Sequence, residues 1–316
     1  MRTFTLSIGF LLTVLTVQYS ILAQEPTSRD RQRVRTVTIP ISIYTKKELR
    51  EDQTSEIIQA DRLTVKENKE DQTILSIRSV SNTPLALAVL IQDDLTGNIN
   101  LQLRDIAKFI TGMPKGTRVM VAYIRGGTLQ IRQKFTDDLE KAAKSIRIVS
   151  GAGAGSNGPY AGVADALKRF DSLPAGRRAV LLVSDGVDTS NGVSAASSFQ
   201  SVDFDRAVTR AQKMSVAIYS FFTPTSLSDS GSTQLTLGGQ GALNKLSEET
   251  GGRAFFQGSL APISFDPFFR DLNILLGRQF ALTYLSTNMK KGYYKVEVAS
   301  TNPEIKIEHP KGYYHR

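Results

Sequence analysis

The sequence predicts an α/β fold, a doubly wound and mainly parallel sheet, joined to a small β-domain formed from both ends of the chain. Leu85-Ala86-Leu87-Ala88-Val89-Leu90-Ile91 is an unbroken apolar run followed by the polar stretch Asp93-Asp94-Leu95-Thr96-Gly97-Asn98. A short apolar run closed by turn formers is the pattern of a strand covered on both faces, as a central parallel strand must be. From Leu85 onward strand patterns alternate with helical ones, which argues for βα units. Outside that stretch, residues 36–80 and 280–307 read only as short alternating strands, too few at either end to be stable alone.

The chain has 316 residues, 41% of them hydrophobic, enough for one full α/β domain and a small companion. Residues 1–23 carry Arg2, an apolar stretch from Phe10 to Leu15 and an Ile21-Leu22-Ala23 ending. That is the pattern of a secretory signal peptide cleaved after Ala23, with an uncleaved anchor as the alternative, and it predicts a secreted or periplasmic protein. No later apolar run is long enough to span a membrane. The absence of Cys excludes disulfides, thiolate metal sites and lipid-modified cysteine. The net charge of +9 suits acidic surfaces or partners but ordinarily means only solubility, and no aromatic-plus-basic motif points to nucleic acid.

Residues 24–35 are polar and charged and read as a disordered linker. Residues 36–44 form a β-branched strand that Pro40 should confine to a sheet edge. Residues 62–67 and 73–80 should pair as a hairpin around 68–72. Leu101, Ile106, Phe109 and Ile110 then mark a helical face, residues 118–124 a strand, and residues 128–135 an antiparallel edge strand after the Gly126-Gly127 turn. Residues 137–146 follow as a helix, 204–214 as another, 216–222 as a buried strand, 242–250 as a helix stopped by Gly251-Gly252, 253–256 as a short strand and 268–276 as a closing helix. The β segments at 280–285, 293–298 and 304–307 complete the chain. Domain boundaries follow: signal peptide 1–23, linker 24–35, amino-terminal β segment 36–82, central α/β domain 83–279, and carboxyl-terminal β segment 280–316 pairing with 36–82. The expected shared core joins Ile41, Ile43, Val65, Ile74 and Ile77 to Leu282, Tyr284, Val296, Val298 and Ile307.

The polar run after the first apolar strand sits where open α/β sheets bind ligands, outside the carboxyl ends of the strands. Asp94, Thr96 and Asn98 alternate around Gly97, so three oxygen-bearing side chains are placed to converge, a chemistry that suits hard divalent cations. Asp94-Leu95-Thr96-Gly97-Asn98-Ile99 resembles the Asp-x-Ser-x-Ser metal-ion-dependent adhesion motif of von Willebrand factor A domains. Val180-Leu181-Leu182-Val183-Ser184-Asp185-Gly186 resembles the strand motif that supplies that family's second carboxylate. The whole layout, with the hairpin of residues 65–77, the Thr250-Gly251-Gly252 turn and the Gly312-Tyr313 ending, resembles the secreted bacterial von Willebrand factor A-related acidobacterial domain. The resemblance implies a Rossmann-like sheet and a metal site of Asp94, Thr96, Asn98 and Asp185 holding Mg²⁺, with Mn²⁺ or Ca²⁺ as substitutes. It also implies a second metal loop across residues 151–161, where the family's threonine position falls on Ala161. Alanine offers no oxygen, which predicts weak binding, and Ser156 and Asn157 are the oxygen-bearing side chains nearby.

Enzyme signatures are scarce. His309 and His315 are the only histidines and have no partner at metal-ligand spacing, and Ser184-Asp185-Gly186 lacks a hydrolase elbow. The glycine-rich run 151–159 lacks the Gly-Lys-Ser/Thr ending of a phosphate loop. The expected function is therefore a secreted, non-enzymatic protein-binding or adhesion module that recognises a partner's acidic side chain through a bound divalent metal. A metal-independent scaffold in an envelope assembly is the alternative, and an unrecognised hydrolase the third reading.

Overall fold

A computed structural model describes residues 33–45, 63–151, 157–174, 176–192, 194, 197–229, 233–258 and 260–315. The expected signal peptide and all of the expected linker before residue 33 lie outside the described residues. Strand β1 (Arg35–Thr45) starts the described structure, so the last residue assigned to the linker belongs to a strand. The hairpin of β2 (Leu63–Glu67) and β3 (Glu70–Gln72) turns through Asn68 and Lys69, at φ 49° and 74°. A two-residue hairpin turn of this hand needs positive φ at both central residues. β4 (Ile74–Ser79) then leaves the hairpin and pairs with β11 (Gln279–Ser286) in another sheet. The expected pairing of residues 62–67 with 73–80 is thus corrected: three residues of β3 close the hairpin and β4 crosses over.

The central sheet contains β5 (Leu85–Gln92), β6 (Arg118–Arg125), β7 (Thr128–Thr136), β8 (Arg177–Ser184), β9 (Ala217–Phe222) and β10 (Ala254–Phe255) in the order β10-β9-β8-β5-β6-β7. All neighbours run parallel except β6 and β7. The helices are α1 (Leu103–Thr111), α2 (Leu139–Lys144), α3 (Tyr160–Leu167), α4 (Val202–Met214), α5 (Ser226–Asp229), α6 (Thr233–Thr250) and α7 (Asp266–Gly277). Side chains alternate across a strand, so β5 sends Leu87, Val89 and Ile91 into a core closed by Ile106 and Phe109 of α1 and Leu272 of α7. Its Ala86, Ala88 and Leu90 enter a second core with Val163 of α3, Phe204 of α4 and Leu243 of α6. The sheet is covered on both faces, as the apolar run requires. At about 1.5–3 kcal/mol for each fully buried aliphatic side chain, this strand alone anchors the domain.

Two expected details differ. Leu101 does not join the helical face: it ends a 3-10 turn (Gly97–Leu101) and is 77% exposed, while Leu103 takes the buried position. α6 begins at Thr233 rather than at residue 242, carrying Gly238, Gly239 and Gly241 inside it.

The chain ends build two antiparallel sheets. One has the order β13-β1-β11-β4 and the other β14-β12-β2-β3, with β12 (Gly292–Ser300), β13 (Ile305–Glu308) and β14 (Gly312–His315) from the carboxyl terminus. Every residue of the expected shared core lies in it or packs on it. The edge position expected for β1 is corrected, because β11 flanks it across Arg35–Ser42 and β13 across Ser42–Thr45. Pro40 is tolerated because it stands where only β11 is alongside.

Glu67 continues the inward stripe of Leu63 and Val65 and is fully buried. Its Oε1 accepts from Ser286 Oγ at 2.8 Å and Asn288 Nδ2 at 2.7 Å, and its Oε2 accepts from the hydroxyls of Tyr284 and Tyr313, both at 2.9 Å. Arg35 closes the set, donating to the Tyr313 hydroxyl and, from Nε, to the Asn288 carbonyl at 2.6 Å. Burial, then the Glu67 bond and charge, push the Tyr313 phenol up to about 12. One carboxylate therefore ties the amino-terminal hairpin to β11 and β14. Glu67→Ala strands four donors at once and should cost on the order of 3–5 kcal/mol, with Glu67→Gln intermediate. Urea unfolding checks this, and a Glu67→Ala loss below about 1 kcal/mol would show the cluster to be energetically idle.

Candidate functional site

The site begins where β5 ends. Asp93 extends the strand, its N–H donating to the Ile124 carbonyl at 2.8 Å, and its carboxylate is buried against Arg147. Arg147 holds both oxygens, Nη1 to Oδ1 at 2.7 Å and Nη2 to Oδ2 at 3.0 Å, while lying 4.2 Å from the Tyr123 ring centroid. Burial works to raise the Asp93 carboxyl, but the Arg147 bond, the Ser150 N–H and the charges of Arg147 and Arg125 outweigh it and hold it below the usual carboxylate value. Asp93 is thereby committed to structure.

Asp94 and Thr96 are less well satisfied. Asp94 is 6% exposed, and burial raises its carboxyl above the usual range, against the pull of a Gln92 hydrogen bond and with a further push from Asp93. Asp94 Oδ1 is sealed from solvent and has no hydrogen-bond partner, and the same holds for Thr96 Oγ1. The Thr96 backbone is fixed, its N–H donating to the Pro224 carbonyl at 3.0 Å, next to the Leu95–Thr225 bridge. Asn98 is exposed on the 3-10 turn.

Asp185 enters from the end of the neighbouring strand β8 and is fully buried. Its Oδ1 accepts from the Val187 N–H at 3.0 Å, and its Oδ2 from Thr225 Oγ1 at 2.7 Å and Ser228 Oγ at 3.2 Å. Burial raises its carboxyl to about 6 despite the Thr225 and Val187 bonds, and the charge of Asp94 adds to the rise. The charge of Asp94 thus reaches Asp185, and the polar Gln92 side chain favours the ionised form of both carboxyls. Gln92 Oε1 also accepts from Ser184 Oγ and from the Asp185 N–H, the latter at 3.3 Å. Helix α6 presses on this turn. A Cβ on Gly239 would stand 2.1 Å from the Asp185 carbonyl oxygen, and one on Gly186, at φ 68°, 2.5 Å from the Gly239 carbonyl oxygen. Both positions must be glycine for helix and turn to meet.

The second loop reaches the same turn. Tyr160 is fully buried and donates its hydroxyl to the Gly186 carbonyl at 2.6 Å. Asp188 is buried, with Oδ1 accepting from Ser190 N at 3.0 Å and Oγ at 2.6 Å. Ala161 lies half-buried beside Gly127 and brings only a methyl group, Asn157 is exposed, and Ser156 lies outside the described residues. Among the described residues no group of three or more His, Asp or Glu side chains is arranged to hold a metal ion. Of the predicted ligands, Asp94 and Thr96 follow the carboxyl end of β5 and Asp185 follows that of its parallel neighbour β8, while Asn98 is exposed. Gln92, Asp188, Thr225 and Ser228 were not anticipated from sequence. Gln92 ends the apolar run directly before the motif, and its position between two acid-bearing strand ends is the only signal that could have marked it.

His309 lies in the β-domain and is buried. Its Nε2 accepts from the Val298 N–H at 3.3 Å, and its Nδ1 lies 3.0 Å from the Pro310 carbonyl oxygen. Desolvation lowers it to about 4, so it is neutral at pH 7 and pins a turn.

Neither a scan of protein-family models nor a search of curated proteins gives a match. Among solved structures, the chain is similar to an aerotolerance-related membrane protein of Bacteroides fragilis, at 15% identity and TM-score 0.42, over 61% of this chain and 98% of that one. It is similar to a von Willebrand factor type A structure from Catenulispora acidiphila at 9% identity and TM-score 0.43, over 81% and 74% of the two chains. A third likeness is to the von Willebrand factor domain of the type V pili tip protein Mfa5 of Porphyromonas gingivalis, at 11% identity and TM-score 0.42, over 61% and 96%. At such identities and scores no role passes from these proteins to this chain.

The titrations give a signed expectation. Asp185 is raised in the fold, so the folded chain binds the extra proton between about pH 4 and 6, and its contribution falls as pH rises through that window. His309 is lowered, so the unfolded chain binds the extra proton between about pH 4 and 6.5, and its contribution grows as pH rises. Asp185→Asn keeps an acceptor for the Val187 N–H and presents an amide to hydroxyls that can turn to accept. Relative to the wild type it should gain stability between pH 4 and 7, by on the order of 3 kcal/mol at pH 7. Thermal melts across that range check this; a wild-type-minus-variant difference that does not change with pH would contradict it.

Proposed function

We propose that the chain is a non-enzymatic protein-binding module whose partner engages the carboxyl end of the central sheet through a divalent cation. The observation that supports this is the pair of sealed, unpartnered oxygens, Asp94 Oδ1 and Thr96 Oγ1. Leaving a buried polar atom unpaired costs about 1–3 kcal/mol, and two such hard acceptors beside a second carboxylate fit Mg²⁺, Mn²⁺ or Ca²⁺. Asp94 and Thr96 would hold the ion directly and Asp185 through water, since both oxygens of Asp185 already accept protein bonds. Bound there, the cation would supply a positive charge and open coordination positions for a partner's acidic side chain. Gln92 anchors the start of the Asp185 turn through the Ser184 hydroxyl and the Asp185 N–H, Arg147 neutralises Asp93, and the Gly186–Gly239 contact fixes the turn. Ala161 adds no oxygen, so affinity should be weak.

The apolar amino terminus supports export, and the chain's layout supports placing it with the von Willebrand factor A-related acidobacterial domain. No helix among the described residues is long and apolar enough to cross a membrane. The second reading, a metal-independent scaffold in an envelope assembly, draws on the completed bonding of Asp185.

Calorimetry with Mg²⁺ and Mn²⁺ separates the two. Binding should appear at millimolar metal, be lost in Asp94→Ala with cooperative unfolding intact, and be weakened at least tenfold in Thr96→Val. Capture of partners from an envelope extract should be reversed by EDTA. Absence of heat at millimolar metal together with EDTA-resistant capture would leave the scaffold.

A further inference from the structure

The opposite end of the central sheet carries a cavity of about 220 Å³, at the junction with the β1–β11 sheet. Pro40, Val80 and Ala281 give it apolar walls, and all three are half-buried. Two consecutive arginines at the start of β8, Arg177 and Arg178, contribute to its lining. They are placed differently. Arg177 is a staple: Nε donates to Gln279 Oε1 at 2.8 Å, Nη1 to the Ser81 carbonyl at 3.2 Å, and Nη2 to the Leu276 carbonyl. It binds the β4–β5 connection to the end of α7, and its burial lowers its basicity. Arg178 makes one bond, Nη2 to the Leu173 carbonyl at 3.2 Å, and its Nε is sealed from solvent with no acceptor. Among the described residues no carboxylate pairs with either guanidinium.

An apolar cavity lined by two arginines that no carboxylate among the described residues neutralises, one of them held by a single protein hydrogen bond, has a singly charged anion as its complement. A guanidinium fork matches the two oxygens of a carboxylate. The apolar walls disfavour a multiply charged, fully polar anion such as phosphate, whose desolvation nothing here offsets. The volume is below the range of drug-sized sites and admits only a small molecule. We propose that this cavity is a binding site for a small amphipathic monocarboxylate, its carboxylate taken by Arg178 and its apolar body laid against Pro40, Val80 and Ala281. The site stands at the opposite end of the sheet from Asp94 and owes nothing to a cation there. Its ligand bridges the central sheet and the β-domain, so occupancy stabilises their junction.

Hexanoate, hexanol, hexylammonium and inorganic phosphate serve as probes on the full chain, read by calorimetry and thermal melts. Hexanoate should bind one to one and raise Tm, and the other three should do neither at equal concentration. Arg178→Met should weaken hexanoate at least tenfold while unfolding stays cooperative. Ala281→Leu, which fills the cavity from β11, should do the same and decides the matter if Arg178→Met does not fold. The proposal is overturned if hexanoate does not bind, if hexanol binds as well, or if both variants bind hexanoate like the wild type.

Discussion

Everything at the carboxyl end of the sheet depends on one constraint, the complete burial of β5 between two cores. All eight residues of Leu85–Gln92 are buried, so the strand cannot shift without moving large apolar side chains on both faces. The chain leaves that fixed rail at Asp93, and the next side chains inherit its precision. Asp93 is spent on Arg147, and the buried Asp94 follows it with one carboxylate oxygen that has no hydrogen-bond partner. A neighbouring buried rail, β8, delivers Asp185 in the same way. These side chains are therefore placed by packing.

The β-domain solves a different problem. Neither chain end has enough strands to close a core, and their union brings ten buried apolar residues together from Val37 to Val298. Glu67 then gives that union a defined arrangement, since its four donors come from β11, the residues just after it, and β14. A carboxylate so placed is costly when any donor is missing, which penalises misregistered pairings of the terminal strands.

Much of this was legible in the sequence because burial writes itself into periodicity. The runs at Leu85 and Val180 had no reading except strands covered on both faces, and the shared terminal core followed from counting strands. Other features were hidden for physical reasons. The first turns of α6 were missed because Gly238, Gly239 and Gly241 depress helix propensity, while Gly239 is there to let the helix meet Asp185. Leu101 looked like a core residue by spacing, yet the 3-10 turn rotates it outward. Pro40 suggested an edge, because sequence cannot show that β13 pairs only beyond it. The supporting ring of Gln92, Thr225 and Ser228 was invisible because those residues come together only through parallel strand pairing across distant segments.

The central claim is that Asp94 Oδ1 and Thr96 Oγ1 are two vertices of a cation site. The most direct test is anomalous scattering from crystals soaked in millimolar Mn²⁺. A peak within about 2.2 Å of both oxygens, with Asp185 in the next layer, is the predicted result. Well-ordered Asp94 and Thr96 side chains with no peak between them would contradict it.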